Sequence, residues 1–250
     1  MSILNAEKLI KIYGGKSSFT KALNGFNMSM NKGEFVGVMG PSGSGKTTLL
    51  NLLGGLDTVT SGTIKINDKM INTMNKDELA LFRRRNIGFI FQDFNLLDSL
   101  NISENIMLPL ILDGKKTDEM ESRALEIMSY LGIDDIANKY PYNVSGGQQQ
   151  RCVVARALVN DPVIVMADEP TGNLDSKSSR RVMESMERLN KQDNSSILTV
   201  THDPLAASYC NRIIFIKDGA LFMEIVKKEG RRQFFDRIMD CLAVLEGDKK

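Results

Sequence analysis

Apolar positions along this chain repeat with two different periods, and the switch between them divides it. Alternating runs at Leu9–Tyr13 and Ala22–Met30 predict antiparallel strands with a polar insert between them. The mostly apolar runs Phe35–Met39, Ile87–Phe91, Val163–Ala167 and Ser196–Thr201 predict strands buried on both faces. Gly62–Asp68 reads as a further strand, Lys76–Arg83 and Ser176–Asn190 as helices, and Lys217-Asp218-Gly219 as the turn of a hairpin. Strands alternating with helices predict an α/β fold with a mostly parallel, two-faced sheet. From Asp93 to about Asn160 β-branched runs become scarce and helical spacing dominates, as in Met120–Leu131. That stretch is expected to be a helical subdomain inserted into the α/β domain. Near the end, Phe234, Phe235, Ile238, Met239, Leu242 and Leu245 fall at helical spacing and predict an amphipathic helix. It packs on the main domain or meets a partner or membrane.

The expected division is therefore one domain: 1–92 and 161–230 as an α/β core with an antiparallel β subdomain, 93–160 as the helical insert, and 231–250 as the terminal helix. A chain of 250 residues is long enough for this. With 32 Lys and Arg against 31 Asp and Glu, it has no general field for nucleic acid, and the run Arg83-Arg84-Arg85 reads as a solvated helix face. No nucleic-acid partner is expected. Cys152, Cys210 and Cys241 are odd in number and unrelated in spacing, which fits reduced thiols of a cytosolic protein better than disulfides or a metal site. No apolar run approaches the ~20 residues that span a bilayer, so any membrane role is expected to need a separate partner.

Candidate chemistry gathers where the predicted core strands end, which is where doubly wound sheets bind ligands. Strand 35–39 runs into Gly40-Pro41-Ser42-Gly43-Ser44-Gly45-Lys46-Thr47-Thr48, a G-x-x-x-x-G-K-[ST] loop that precedes the helix-like Leu49–Leu53. Glycines let successive N–H groups turn inward toward phosphate oxygens, and the following helix adds its positive end. Lys46 would reach the β- and γ-phosphates and the Thr47 hydroxyl a Mg²⁺ ion. Strand 163–167 ends at Asp168-Glu169, where Asp168 suits Mg²⁺ and Glu169 is placed to polarise an attacking water. Strand 197–201 ends at His202, the single histidine, which could hold the terminal phosphate or that water. Strand 87–91 ends at Gln92, a candidate ligand of Mg²⁺ or water that senses the γ-phosphate.

Ser145-Gly146-Gly147-Gln148 opens another helical stretch and fits the S-x-x-Q capping box. A capped helix start with two glycines also leaves N–H groups open to an anion, so capping and phosphate binding can be one structure.

With Val144-Ser145-Gly146-Gly147-Gln148 included, the set resembles the nucleotide-binding subunit of ABC transporters over nearly the whole chain. The resemblance makes Gly40–Thr48 the Walker A loop, Gln92 the Q-loop, Val144–Gln148 the signature, Val163–Glu169 Walker B, Gly172-Asn173-Leu174-Asp175 the D-loop and His202 the switch histidine. Tyr13 would be the aromatic that stacks on adenine. It implies the fold of a P-loop NTPase and an ATPase using ATP and Mg²⁺, with Lys46, Glu169 and His202 catalytic. It further implies a homodimer sandwiching two ATP molecules, in which Ser145, Gly147 and their neighbours act on the partner's nucleotide.

The polytopic membrane permease of that family would dock on the helical subdomain and hold the subunit at the cytoplasmic face of the membrane. Val144 stands where leucine is usual, and the D-loop reads Gly-Asn-Leu-Asp where Ser-Ala-Leu-Asp is commoner. Gly54-Gly55-Leu56-Asp57 and Phe91–Leu97 are similar to the branch serving lipoprotein release, macrolide export and antimicrobial-peptide resistance. Asp98, Thr201–Cys210, Ile214–Gly219 and Arg232–Phe235 are similar to the bacitracin and lantibiotic resistance (Bce-type) ATPases. Phe94, Leu96, Leu97, Leu100 and Met107–Leu112 would be subdomain core or the permease groove.

Overall fold

The computed structural model describes residues 1–15 and 18–247. Two sheets form from the two kinds of apolar run. In the first, β1 (Ser2–Gly15) and β2 (Ser18–Asn31) make a long antiparallel hairpin. The described residues of the expected polar insert, 14–15 and 18–21, are strand: Tyr13 lies opposite Thr20 and Gly14 opposite Phe19. Ladder bonds are made by backbone, so pairing continues past the point where one face stops being buried and the apolar alternation fades. β4 (Ser61–Ile66) and β5 (Lys69–Met70) extend this sheet in the order β2-β1-β4-β5.

The second sheet has the order β10-β9-β3-β8-β7-β6. Its strands are β3 (Phe35–Met39), β6 (Ile87–Ile90), β7 (Ile164–Asp168), β8 (Ile197–Val200), β9 (Arg212–Lys217) and β10 (Ala220–Val226). β9, β3, β8, β7 and β6 run parallel, and β10 closes one edge antiparallel. Every residue of β3 is buried. Its side chains alternate between two cores: Val36 and Val38 join Met166, Leu198 and Ile214 on one face, while Phe35 and Met39 join Val165, Ile197 and Phe215 on the other.

Helix α1 (Lys46–Leu53) packs Leu49, Leu50, Leu52 and Leu53 into the first core, beside the small sheet. α2 (Lys76–Asn86) leads into β6 from a capping box on Asn75 and Glu78. α3 (Ile102–Leu112), α4 (Thr117–Leu131) and α5 (Gly146–Leu158) pack together on the second face, and no strand lies among residues 93–160. α6 (Ser176–Asp193) covers the same face through Val182, Met183 and Met186. α7 (Pro204–Ala207) is a single turn capped by Asp203, too short to leave a period in the sequence. α8 (Arg231–Gly247) packs on the main body, with Phe234, Ile238 and Leu245 buried. Residues 248–250 of the expected terminal helix lie outside the described residues.

Inside the helical part, fully buried Asn105 fixes the segment that follows Gln92. Its Oδ1 accepts the Leu97 N–H at 2.8 Å, and its Nδ2 donates to the carbonyls of Leu97, Leu100 and Asn101 at 3.0, 3.0 and 2.9 Å. Replacing it with an apolar side chain of similar size strands those groups away from water. Asn105→Leu is expected to cost about 2–4 kcal/mol of stability, read as a lowered midpoint of urea unfolding.

Candidate nucleotide site

β3 delivers the chain at Gly40 into the phosphate loop, and α1 begins at Lys46. Gly45 has φ +101°, and a Cβ there would stand 2.4 Å from the Ala22 carbonyl oxygen of β2, so only glycine fits between loop and hairpin. As the N-cap of α1 it offers no side chain, which leaves the first-turn N–H groups without a side-chain acceptor. Ser44 Oγ is buried with no partner. Lys46 folds back over the loop, donating to the carbonyls of Gly40 at 2.8 Å and Pro41 at 2.9 Å. Burial pushes its ammonium pKa down, while Glu169 and Asp168 oppose the shift.

One strand, β7, supplies both acids, and its neighbour β8 the histidine. Asp168 closes β7 with Oδ1 3.5 Å from Thr47 Oγ1. Its carboxyl pKa is raised, first by burial and then by the neighbouring charge of Glu169, against weaker help from Thr47 and Lys46. Glu169 has φ +45°, a left-handed backbone that costs a non-glycine residue on the order of 1 kcal/mol and is held here by Glu169 N–H donating to Val200 O at 2.9 Å. Its carboxylate accepts the His202 backbone N–H at 3.0 Å, and its Oε1 lies 2.8 Å from His202 Nδ1. The Glu169 side chain is 14% exposed and the His202 ring 73%, so the pair has one dry and one wet end.

A cleft of about 390 Å³ brings Ser42, Gly43, Gly45, Lys46, Thr47 and Thr48 together with Glu169 and His202. Thr20, Lys21 and Ala22 of β2 complete its wall. Those three carry no motif; only the hairpin's position over Gly45 reveals them. A larger cavity of about 650 Å³ opens beside the amino ends of β7 and β8, between Arg123, Tyr130 and Ser196, and holds none of these groups.

Other sequence candidates lie outside the cleft. Gln92 is exposed, and its Nε2 donates to Asn173 Oδ1 at 3.3 Å. Tyr13, on the hairpin opposite Thr20, is 41% exposed and donates its hydroxyl to Asp57 Oδ2 at 2.7 Å. Lys11 Nζ, paired to Asp57 Oδ1 at 2.7 Å, sits 4.7 Å from the Tyr13 ring centroid. Ser145 caps α5: the Ser145 N–H donates to Gln148 Oε1 at 2.9 Å and the Gln148 N–H to Ser145 Oγ at 3.4 Å. Gly146 faces Leu174 and Phe94, and a Cβ on Gly147 would meet Ser178 Oγ at 2.7 Å. Asp175 caps α6, accepting from the Ser178 hydroxyl and the N–H groups of Ser178 and Lys177; those bonds hold its carboxyl below the usual range. The start of α1 thus borders the cleft without a side-chain cap, whereas the start of α5 is closed by its own capping box and lies outside that cleft.

The family model described as ABC transporter matches residues 23–172, more than half of the chain. The chain belongs to that family. It is 53% identical over 250 residues to the uncharacterized ABC transporter ATP-binding protein YvcR of Bacillus subtilis, covering 99% of this chain and 96% of that one. It is 46% identical over 248 residues to the bacitracin export ATP-binding protein BceA of Halalkalibacterium halodurans, covering 99% and 98%. The dimeric post-hydrolysis structure of the ATP-binding cassette MJ0796 bound to ADP and Pi superposes with a TM-score of 0.83 at 40% identity, over 90% of this chain and 99% of that one. As an ABC cassette, the chain is an ATPase with the α/β P-loop fold that its sequence predicts. No helix among the described residues is long and apolar enough to cross a membrane.

The raised carboxyl of Asp168 sets a pH dependence. Its folded-state pKa lies above the ordinary 3.8, so the stability linked to it is fully present below that value and is lost as pH rises through the raised one. Asp168→Asn is therefore expected to raise the thermal midpoint of the nucleotide-free protein at neutral pH, with the gain vanishing below the ordinary carboxylate value. Calorimetry across that range measures it, and a lower midpoint at neutral pH counts against the assignment.

Proposed function

We propose that this ATPase powers a bacterial membrane permease that confers resistance to cell-wall-targeting peptide antibiotics of the bacitracin and lantibiotic type. The observation that carries the hydrolytic reading is the meeting of Lys46, Thr47, Glu169 and His202 in one cleft at the carboxyl ends of adjacent strands. The 46% identity to the bacitracin export protein supports the peptide class.

On this reading ATP lies with its phosphates against the N–H groups of Gly43–Thr48. Lys46 exchanges the carbonyls of Gly40 and Pro41 for phosphate oxygens, which explains why a half-buried ammonium is kept there. Thr47 and Asp168 would hold Mg²⁺. Their hydroxyl and carboxylate are hard oxygen donors, and among the described residues no group of three or more His, Cys, Asp or Glu gathers to hold a metal, so phosphate and water would complete the shell. When bound, the ion would neutralise charge on the phosphates. Glu169 orients the attacking water and accepts its proton, and His202 holds the carboxylate in place while presenting its other nitrogen toward the terminal phosphate. Tyr13 stacks on the adenine, and Gln92 joins the metal or water once nucleotide is in place.

Ser145, Gly146, Gly147 and Gln148 lie outside their own chain's cleft, and the similar MJ0796 cassette is described as dimeric. Both facts support a homodimer in which the α5 start of each chain, with Asp175 nearby, closes on the nucleotide of the other. A groove of about 440 Å³ between α3 and β6, lined by Phe89, Phe91, Leu108, Pro109 and Leu112, suits an apolar helix of the permease. Phe94, Leu96 and Met107 pack against the second core and Leu110 is buried within it, so of the anticipated run only Leu108, Pro109 and Leu112 face that groove. Docking there would hold the subunit at the cytoplasmic face of the membrane.

Glu169→Gln is expected to lower hydrolysis by about 10²–10⁴-fold while leaving nucleotide binding intact, so that ATP traps a dimer in size-exclusion chromatography. Lys46→Ala should instead weaken binding by about 10–100-fold. Source cells lacking the gene, or carrying Glu169→Gln, are expected to become sensitive to bacitracin-like and lantibiotic peptides. Unchanged susceptibility with the protein expressed would redirect the assignment to lipoprotein release, macrolide export or cell-division signalling. The 43% identity to a macrolide export protein MacB of Mannheimia succiniciproducens makes the macrolides the first of these to test.

A further inference from the structure

Two residues of the segment after Glu169 differ from the commoner Ser-Ala-Leu-Asp, and both meet the same side chain. Asn173 Nδ2 donates to the Gln92 carbonyl oxygen at 3.1 Å and to Asp93 Oδ1 at 3.2 Å. Gln92 Nε2 donates back to Asn173 Oδ1 at 3.3 Å. The Gln92 amide also lies against bare backbone: a Cβ on Gly172 would stand 3.0 Å from Gln92 Nε2 and 3.1 Å from its Cδ. Gly172 is not among the residues with positive φ, so close approach and not backbone conformation is what glycine supplies here. Serine at 172 would make the Gln92 amide give by a few tenths of an ångström, and alanine at 173 would remove its side-chain partner.

The backbone on the Gln92 side is braced independently. Phe94 and Asn95 have φ +26° and +50°, and Arg156 of α5 donates to their carbonyls at 2.9 and 2.6 Å. Asn105 of α3 holds Leu97. What can change with little cost is the exposed amide pair. Gln92 is meanwhile absent from the cleft that holds Lys46, Thr47 and Glu169.

We propose that Asn173 is a positioning residue: it clasps Gln92 outside the cleft, so that nucleotide must exchange this pair for contacts of its own. The holding role rests on the reading of Gln92 as a nucleotide-sensing residue. A competent form that exists only after the clasp opens weakens apparent affinity by the fraction of chains already open.

Side-chain amide exchange in the nucleotide-free protein, followed by NMR, reads the clasp without any nucleotide. The Gln92 amide protons are expected to exchange more slowly than those of exposed Gln192, and Asn173→Ala should bring the two rates together. Titration with a fluorescent ATP analogue reads the consequence. Asn173→Ala should tighten binding by about fivefold, and the same substitution should change nothing in a Gln92→Ala chain. Equal exchange at Gln92 and Gln192 in the unsubstituted protein overturns the clasp. Unchanged affinity, or equal tightening with and without Gln92, overturns its holding role. A parent chain that binds no nucleotide would refute the ATPase reading instead, and the exchange rates would still decide the clasp.

Discussion

Burial of β3 on both faces is the constraint from which the rest of the structure follows. A strand with no exposed residue can exist only with strands on either side and a layer above and below. β8 and β9 flank it in parallel, α1, α2 and the small sheet cover one face, and α5, α6 and the remaining helices cover the opposite one. Parallel register then has a chemical result. Strands that start at one edge end at the other, so Gly40, Asp168 and His202 emerge side by side although far apart in sequence.

The edge so formed is electrostatically unfavourable taken by itself. Lys46 is partly stripped of water, Asp168 and Glu169 repel each other, Glu169 carries a strained backbone and Ser44 has an unpartnered hydroxyl. The two apolar cores offset these costs and keep the groups preorganised. A nucleotide with its cation would relieve several at once, since phosphate oxygens satisfy the ammonium and the helix start while the cation satisfies the acids. On the proposed function, local rules are broken at this edge because a bound nucleotide would mend them.

The junction around Gln92 shows how side chains from remote segments set what the loop can do. Arg156 of α5, Asn105 of α3 and Asn173 after β7 each hold a different part of the stretch between Gln92 and Leu97. Gly146 at the start of α5 faces Leu174 and Phe94 in the same neighbourhood. A shift of the helical part relative to the sheet would therefore reach the cleft through this stretch, as coupling through contiguous packing requires.

Most of this was legible in the amino-acid order because the signals are local. The apolar runs at 35–39, 87–91 and 163–167 mark β3, β6 and β7 to within a residue or so, since two-sided burial leaves few polar choices. The phosphate loop is legible because backbone geometry at Gly45 and charge at Lys46 must be written at fixed spacing. Pairing made by backbone alone leaves no such mark. The outer half of the β1–β2 hairpin, and with it Thr20 and Lys21 in the wall of the cleft, came only from the tertiary structure. So did the partners of side chains whose types permit many: Tyr13 with Asp57, and Gln92 with Asn173. The sequence by itself determined the strands, the loop and which groups are candidates for the chemistry, because periodicity and spacing are properties of neighbours along the chain. Which polar side chain answers which was decided by the fold, because those contacts join residues 44 and 81 positions apart and leave no period to read.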